Sequence, residues 1–402
     1  MKKLNIILCA ALVALSALSC NKDEKPAAPM TPDQIKEKLA DVTVAALNEV
    51  NPDYWKAWYQ TAEGLAGVIQ NAESAQGLDA LKADLAALFT HQSGNKIATI
   101  IKLSQVTGDL LIENGTLKYT KSTNPLNLSM TYNGKSYKAW MEASGESGEP
   151  FQLTEEITMY GTTTMSIYVP GTVAVHVTEN SVLYMDVVVN PSVDDVNGNG
   201  KLDEDDIIEG SAYVQIPAYK VTIDNLEAKQ MSVAGVIELT HNSTSVLTLD
   251  GKVEYDIDVA ALIDNVVKAS TKGNIPITVD DVTINKLSLM GGQAYVVADV
   301  DIQDIQGLVD KTYSSESQAK AAAKAVDKSF KAELHFDNNS TVQASFTTLV
   351  ENTGSGYALV PALAFADGSQ PMSLEEFFEG GDTKVWEPVL AKITEYSLKL
   401  RK

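Results

Sequence analysis

Leu128-Ser129-Met130-Thr131-Tyr132-Asn133-Gly134-Lys135-Ser136-Tyr137-Lys138-Ala139-Trp140 is the stretch that decides the fold class. Apolar or aromatic residues alternate with polar ones on both sides of an Asn-Gly pair. Asn-Gly suits a type I′ turn, whose two central residues take positive φ and whose twist matches that of paired strands. The segment therefore predicts a β-hairpin with one apolar face. The signal recurs upstream, where Asn114-Gly115 joins Leu110-Leu111-Ile112 to Leu117-Lys118-Tyr119.

Working outward, strands are expected from about Lys96 onward, at 165–169, 172–177, 182–189, 331–337, 341–350 and 356–364. Helices are expected at 258–270 and 316–329, with a short one at 374–378; 393–400 reads as either strand or helix. A Gly/Ser/Glu-rich stretch at 144–150 marks a loop or domain joint.

Before Lys96 the period is helical. Thr31 suits an N-cap, Pro32 the first turn, and Gln34 completes a capping-box pattern. Ile35, Leu39, Val42, Ala46 and Val50 then recur at helical spacing until Asn51-Pro52-Asp53 breaks the run. Two further helices are expected at 54–71 and 78–90. Tyr54, Trp55, Trp58 and Tyr59 cluster on the first of these. Aromatic residues three and four apart pack a helix into a core; a platform for sugar rings is the alternative. The expected class is α+β, with a small helical region at 32–95 followed by a larger antiparallel β-rich region with packed helices at 96–402.

Part of that region reads as repeated. Val221-Thr222-Ile223-Asp224-Asn225-Leu226 matches Ile277-Thr278-Val279-Asp280-Asp281-Val282, and 231–235 matches 287–291 without a gap. Residues 258–264 match 304–310 in the same order. This predicts an internal duplication over 221–270 and 277–316.

Composition excludes several functions. The formal net charge is −22, and Arg401 is the only arginine. Such an acidic chain repels nucleic acid and anionic headgroups, and it lacks the guanidinium forks that grip phosphate. The only cysteines are Cys9 and Cys20. The histidines His91, His176, His241 and His335 show no metal-binding spacing, and no nucleophile elbow or phosphate loop occurs. The chain is therefore expected not to be an enzyme.

The first residues read Met1-Lys2-Lys3, then an apolar run from Ile6 to Leu18, then Ala17-Leu18-Ser19-Cys20. The run is shorter than the ~20 residues that span a bilayer. This leader resembles the lipobox of bacterial lipoproteins. The resemblance implies a signal peptide at 1–19, an acylated Cys20 held in outer-membrane lipid, and a tether at 20–31. It also implies a mature chain without a free thiol. Lys22-Asp23-Glu24 resembles the acidic export signal of Bacteroidota surface lipoproteins, which implies a cell-surface location; a periplasm-facing anchor is the alternative.

Residues 195–206 read Asp-Val-Asn-Gly-Asn-Gly-Lys-Leu-Asp-Glu-Asp-Asp. Asp195, Asn197 and Asn199 alternate, so their oxygens can converge; Gly200 permits a sharp turn. Lys201 would contribute its backbone carbonyl, Asp203 a direct or water-mediated oxygen, and Asp206 the twelfth-position carboxylate. The pattern resembles the calcium loop of EF-hand and dockerin proteins. It implies one Ca²⁺ bound at roughly 10⁻⁴–10⁻³ M as a structural staple, because a strand precedes the loop where a sensor has a helix. A single loop is not expected to dock a cohesin. The expected function is a non-enzymatic binding or structural role at the outer membrane. Two alternatives stay open: a carrier of lipid or another apolar ligand in a β-rich cavity, and a glycan-directed hydrolase with a carboxylate pair.

Overall fold

The computed structural model describes residues 27–74, 78–158, 161–203, 205–229, 232–257, 277–309, 311–379 and 383–401. The leader, Cys20 and the expected helix at 258–270 lie outside the described residues. The class is α+β, a helical N-terminal region followed by a large β-rich one. The helical region holds α1 (Pro32–Glu49), α2 (Pro52–Gln70) and α3 (Leu78–Phe89). The capping box forms: the Thr31 hydroxyl accepts from the Gln34 N–H at 3.3 Å, and the Gln34 side chain accepts from the Thr31 N–H at 2.9 Å. Ile35, Leu39, Val42 and Ala46 are buried, and Val50 is the C-cap.

The chain folds as two compact units. One border falls between Asp53 and Tyr54, in the first turn of α2, well before the change of texture near Lys96; the other falls between 229 and 232.

The middle unit contains β1 (Glu73–Ser74), β2 (Thr90–Ser93), β3 (Lys96–Ile101), β4 (Thr107–Glu113), β5 (Thr116–Pro125), β6 (Asn127–Tyr132) and β7 (Lys135–Ser144). It continues with β8 (Phe151–Thr158), β9 (Gly161–Ile167), β10 (Thr172–Glu179), β11 (Val182–Asp194), β12 (Ile207–Gln215) and β13 (Tyr219–Lys229). Pairing runs β1-β5-β4-β6-β7-β10-β11-β12-β13, antiparallel except at β1–β5 and β4–β6. Both Asn-Gly turns take the backbone they were read for: φ is 51° and 74° at Asn114-Gly115, and 48° and 75° at Asn133-Gly134. A second sheet runs β2-β3-β9-β8, with β8 at its edge.

Alternation puts aliphatic residues on one face of the large sheet, where Val189 pairs with Ala212 and Val187 with Val214. Leu65 of α2 packs with Ile112, Met130 and Tyr137. Tyr54 and Trp55 lie 5.3 and 4.8 Å from the Tyr219 ring, and Trp58 stacks on Tyr184 at 6.0 Å. These three pack half-buried against the sheet, whereas Tyr59 is 62 % exposed. Burial pushes the Tyr184 hydroxyl up to about 12.

The other unit is an antiparallel series: β14 (Ser232–His241), β15 (Thr244–Ile257), β16 (Ile277–Leu289), β17 (Ala294–Asp301), β18 (Phe330–Phe336), β19 (Ala344–Asn352), β20 (Tyr357–Phe365) and β21 (Met372–Ser373). Its later helices are α4 (Ile302–Gln306), α5 (Glu316–Ser329), α6 (Leu374–Glu379) and α7 (Glu387–Arg401). The 393–400 segment is thus helical. Its core gathers Ile35 and Leu39 of α1, Ala294 and Val296 of β17, Phe365, Phe377 and Trp386.

Of the matched repeat segments, 221–226 lies in β13 and 277–282 in β16. Residues 287–289 end β16, and 232–235 open β14. The stretch 304–310 includes the end of α4, and its counterpart 258–264 lies outside the described residues.

Candidate metal centre

Residues 195–206 connect β11 to β12. Asp194 pairs with Ile207 and Val193 with Ile208, so the sheet pins both ends of the loop. β11 continues through Pro191, which faces Gly210 beside a bulge in β12. Within the loop, Gly198 and Gly200 take φ of 67° and 68°, where a β-carbon would be strained. Backbone N–H groups turn inward. Asn199 N–H donates to Asp195 Oδ1 at 3.1 Å, and Gly200 N–H to Asp195 Oδ2 at 2.8 Å. Asn197 Oδ1 also accepts from Asn199 N–H, and Asn199 Oδ1 from Lys201 N–H at 2.6 Å.

The acidic half of the loop closes on this network. Asn199 Nδ2 donates to Asp203 Oδ2 at 2.7 Å, and Asn197 Nδ2 to Asp205 Oδ2 at 3.3 Å. The Asn199 amide, with the Asp205 N–H, holds the Asp203 carboxyl below the usual carboxylate range. Asp206 Oδ2 accepts from the Asp203 N–H at 2.9 Å. The rest of Asp206 is not so served. The residue is 5 % exposed, and its Oδ1 is buried without a hydrogen-bond partner. Such an oxygen is costly unless a cation or donor meets it.

Lys201 is held from outside the loop. Gln152 of β8 donates its N–H to Gly200 O at 2.8 Å and accepts from Leu202 N–H at 3.0 Å. This is a parallel bridge to Lys201. An extended residue sends its own N–H and carbonyl to one side. The Lys201 N–H bonds Asn199 Oδ1 within the loop, so its carbonyl faces the loop as well.

The structure therefore brings five expected side-chain ligands into one network: Asp195, Asn197, Asn199, Asp203 and Asp206. With the Lys201 carbonyl they offer the six oxygens that a hard cation takes at minimum. Among the described residues, no three His, Cys, Asp or Glu side chains gather in metal-holding geometry. Here the Asn197 and Asn199 amide nitrogens face carboxylates. Each Oδ1 accepts one backbone N–H and keeps a second lone pair for a cation, whereas turning either amide would set its NH₂ against that N–H. Sequence reasoning missed Gln152 and Asp205. Asp205 stood in the acidic run, whereas nothing near Gln152 marks it as a partner of a loop far downstream.

Two of the histidines lie against carboxylates. His176 Nδ1 lies 2.6 Å from Asp186 Oδ1, close enough for an ion pair though not aligned as a hydrogen bond. Tyr213 donates its hydroxyl to Asp186 Oδ2 at 2.9 Å, and Trp140 lies 4.9 Å from the imidazole. Burial, then Asp186, raises the Tyr213 hydroxyl. His241 Nδ1 lies 2.7 Å from Glu49 Oε2. A cleft of about 770 Å³ lies between α2 and the β4–β5 turn, lined by Gly64, Gly67, Asn71, Leu111 and Glu113. Among the described residues, no helix is long and apolar enough to cross a membrane. No family model, curated protein or solved structure matches the chain.

Proposed function

We propose that this chain is a non-enzymatic lipoprotein, anchored in the outer membrane through acylated Cys20 and exposed at the cell surface, whose β-rich part is stapled by one Ca²⁺. The leader supports the anchor, and the loop at 195–206 supports the staple. The observation that carries the calcium reading is Asp206. A carboxylate at the twelfth position is 95 % buried, with one oxygen turned to the loop backbone and the other without a partner. Asp195, Asn197, Asn199, Asp203 and Asp206, with the Lys201 carbonyl, would hold the ion. Its charge would offset the repulsion among carboxylates that the two asparagine amides otherwise bridge. A true duplication over 221–270 and 277–316 rests on the sequence matches alone.

The test is calorimetric Ca²⁺ titration of the protein without its leader, with melting curves in Ca²⁺ and in chelator. At about 10 mM Ca²⁺ and the affinity of extracellular sites, binding adds about 1.4–2.7 kcal/mol. Asp195→Ala should abolish that gain, so that its loss in Ca²⁺ exceeds its loss in chelator, where only its two backbone hydrogen bonds go. Equal losses with and without Ca²⁺ would remove the metal reading.

One observation favours a second reading, a carrier of apolar ligands. Val189, Ile208 and Val214 share a sheet face by register, yet each is about two-fifths exposed. Extraction and mass spectrometry of the purified protein would reveal a bound lipid; none at near-stoichiometric amount would count against it.

A further inference from the structure

Resting on the calcium reading, we infer that Ca²⁺ in the 195–206 loop controls the order of β8, and that Gln152 is the residue through which it does so. β8 is an edge strand. Its one partner within its sheet is β9, and its other side meets the chain at the bridge to Lys201. Two backbone hydrogen bonds make that bridge, from Gln152 N–H to Gly200 O and from Leu202 N–H to Gln152 O.

Lys201 faces two ways. On one side its flanking peptide groups bond Gln152. On the other, its N–H bonds Asn199 Oδ1 and its carbonyl faces the loop. A cation drawing in the Lys201 carbonyl fixes this residue as extended. That same extension aims Gly200 O and Leu202 N–H outward at Gln152. Without the cation, the carboxylates of Asp195, Asp203, Asp205 and Asp206 repel one another across a loop held by its own hydrogen bonds and the two asparagine amides. The bridge then frays, and β8 keeps one neighbour. The second pointer to a ligand is Oδ1 of the 95 % buried Asp206, which has no hydrogen-bond partner.

Coupling is reciprocal, so Gln152 must also tune the affinity for the ion. Gln152 spends both backbone groups on the loop, so a proline there deletes one bridge bond without removing a bond to β9. An edge strand tolerates such a residue.

The experiment is hydrogen exchange with mass spectrometry on the leaderless protein, in Ca²⁺ and in chelator, run beside Ca²⁺ calorimetry of the wild type and of Gln152→Pro. At Ca²⁺ about 100 times Kd, exchange should slow about 100-fold in peptides covering 150–154 and 198–206. Gln152→Pro should bind Ca²⁺ about fivefold more weakly, the effect of one lost hydrogen bond. If Ca²⁺ binds with heat but slows exchange only at 195–206, the coupling is wrong and the staple stands. If Gln152→Pro binds Ca²⁺ as tightly as the wild type, the coupling is likewise wrong. Absence of any binding heat overturns the coupling together with the calcium reading beneath it.

Discussion

Two glycines on α2 should respond oppositely to the same substitution. Alanine is favoured over glycine in a helix interior by about 1 kcal/mol. At Gly67 a β-carbon would meet no atom within 4 Å, so Gly67→Ala should realise that gain in full. At Gly64 the β-carbon would fall 2.1 Å from Tyr132 Oη and 2.3 Å from Cζ. Carbon contacts settle near 3.5–4.0 Å, so the ring would have to move by more than ~1 Å. Tyr132 packs against the cluster of Leu65, Ile112, Met130 and Tyr137, which limits where it can go. Overpacking of this kind costs about 1–3 kcal/mol. Gly64→Ala should thus be neutral to about 2 kcal/mol destabilising, and clearly below Gly67→Ala. For a unit of this size each kcal/mol shifts Tm by about 2–4 °C. Thermal melts followed by tryptophan fluorescence suit the test, since Trp55, Trp58 and Trp140 all lie in the middle unit. Equal shifts of the same sign for both variants would refute the seating of α2 with Gly64 against Tyr132.

Burial holds the His335 imidazole below its ordinary value of 6.5, although Glu333 acts against the shift. Its neutral form is therefore favoured in the fold, so stability should be full above about pH 6.5 and fall as pH drops through the lower folded value. His335→Phe, which keeps the stack on Tyr295, should flatten that slope in urea titrations at about pH 8 and pH 5. Ile35 is fully buried in the core of the unit that α1 shares with β14–β21, so Ile35→Ala should cost about 2–5 kcal/mol in denaturant unfolding. Leu390→Ala, at a 59 % exposed site, should stay within about 0.5 kcal/mol. Cys20→Ala should move the protein from the membrane to the soluble fraction; retention in the membrane would remove the lipid anchor.

Local chemistry determined much of this protein. Thr31 and Gln34 start α1 because each satisfies the other's backbone donor, which needs only four consecutive residues. Asn114-Gly115 and Asn133-Gly134 turn where they do because positive φ is cheap there. The alternation of Asp195, Asn197 and Asn199 similarly set the loop's inward hydrogen bonds. What tertiary structure alone decided was everything that joins distant segments. Trp58 was legible as a residue that packs its helix, but its stack on Tyr184 was not. The carboxylate of Asp206 was visible as a ligand type, yet its burial is a property of the folded loop. The bridge from Gln152 left no trace, because a backbone hydrogen bond asks nothing of the side chain. Periodicity and turn residues act within a few positions along the chain. Burial, ion pairing and strand register arise when segments far apart in sequence come to share one surface, and nothing in either segment alone records the other.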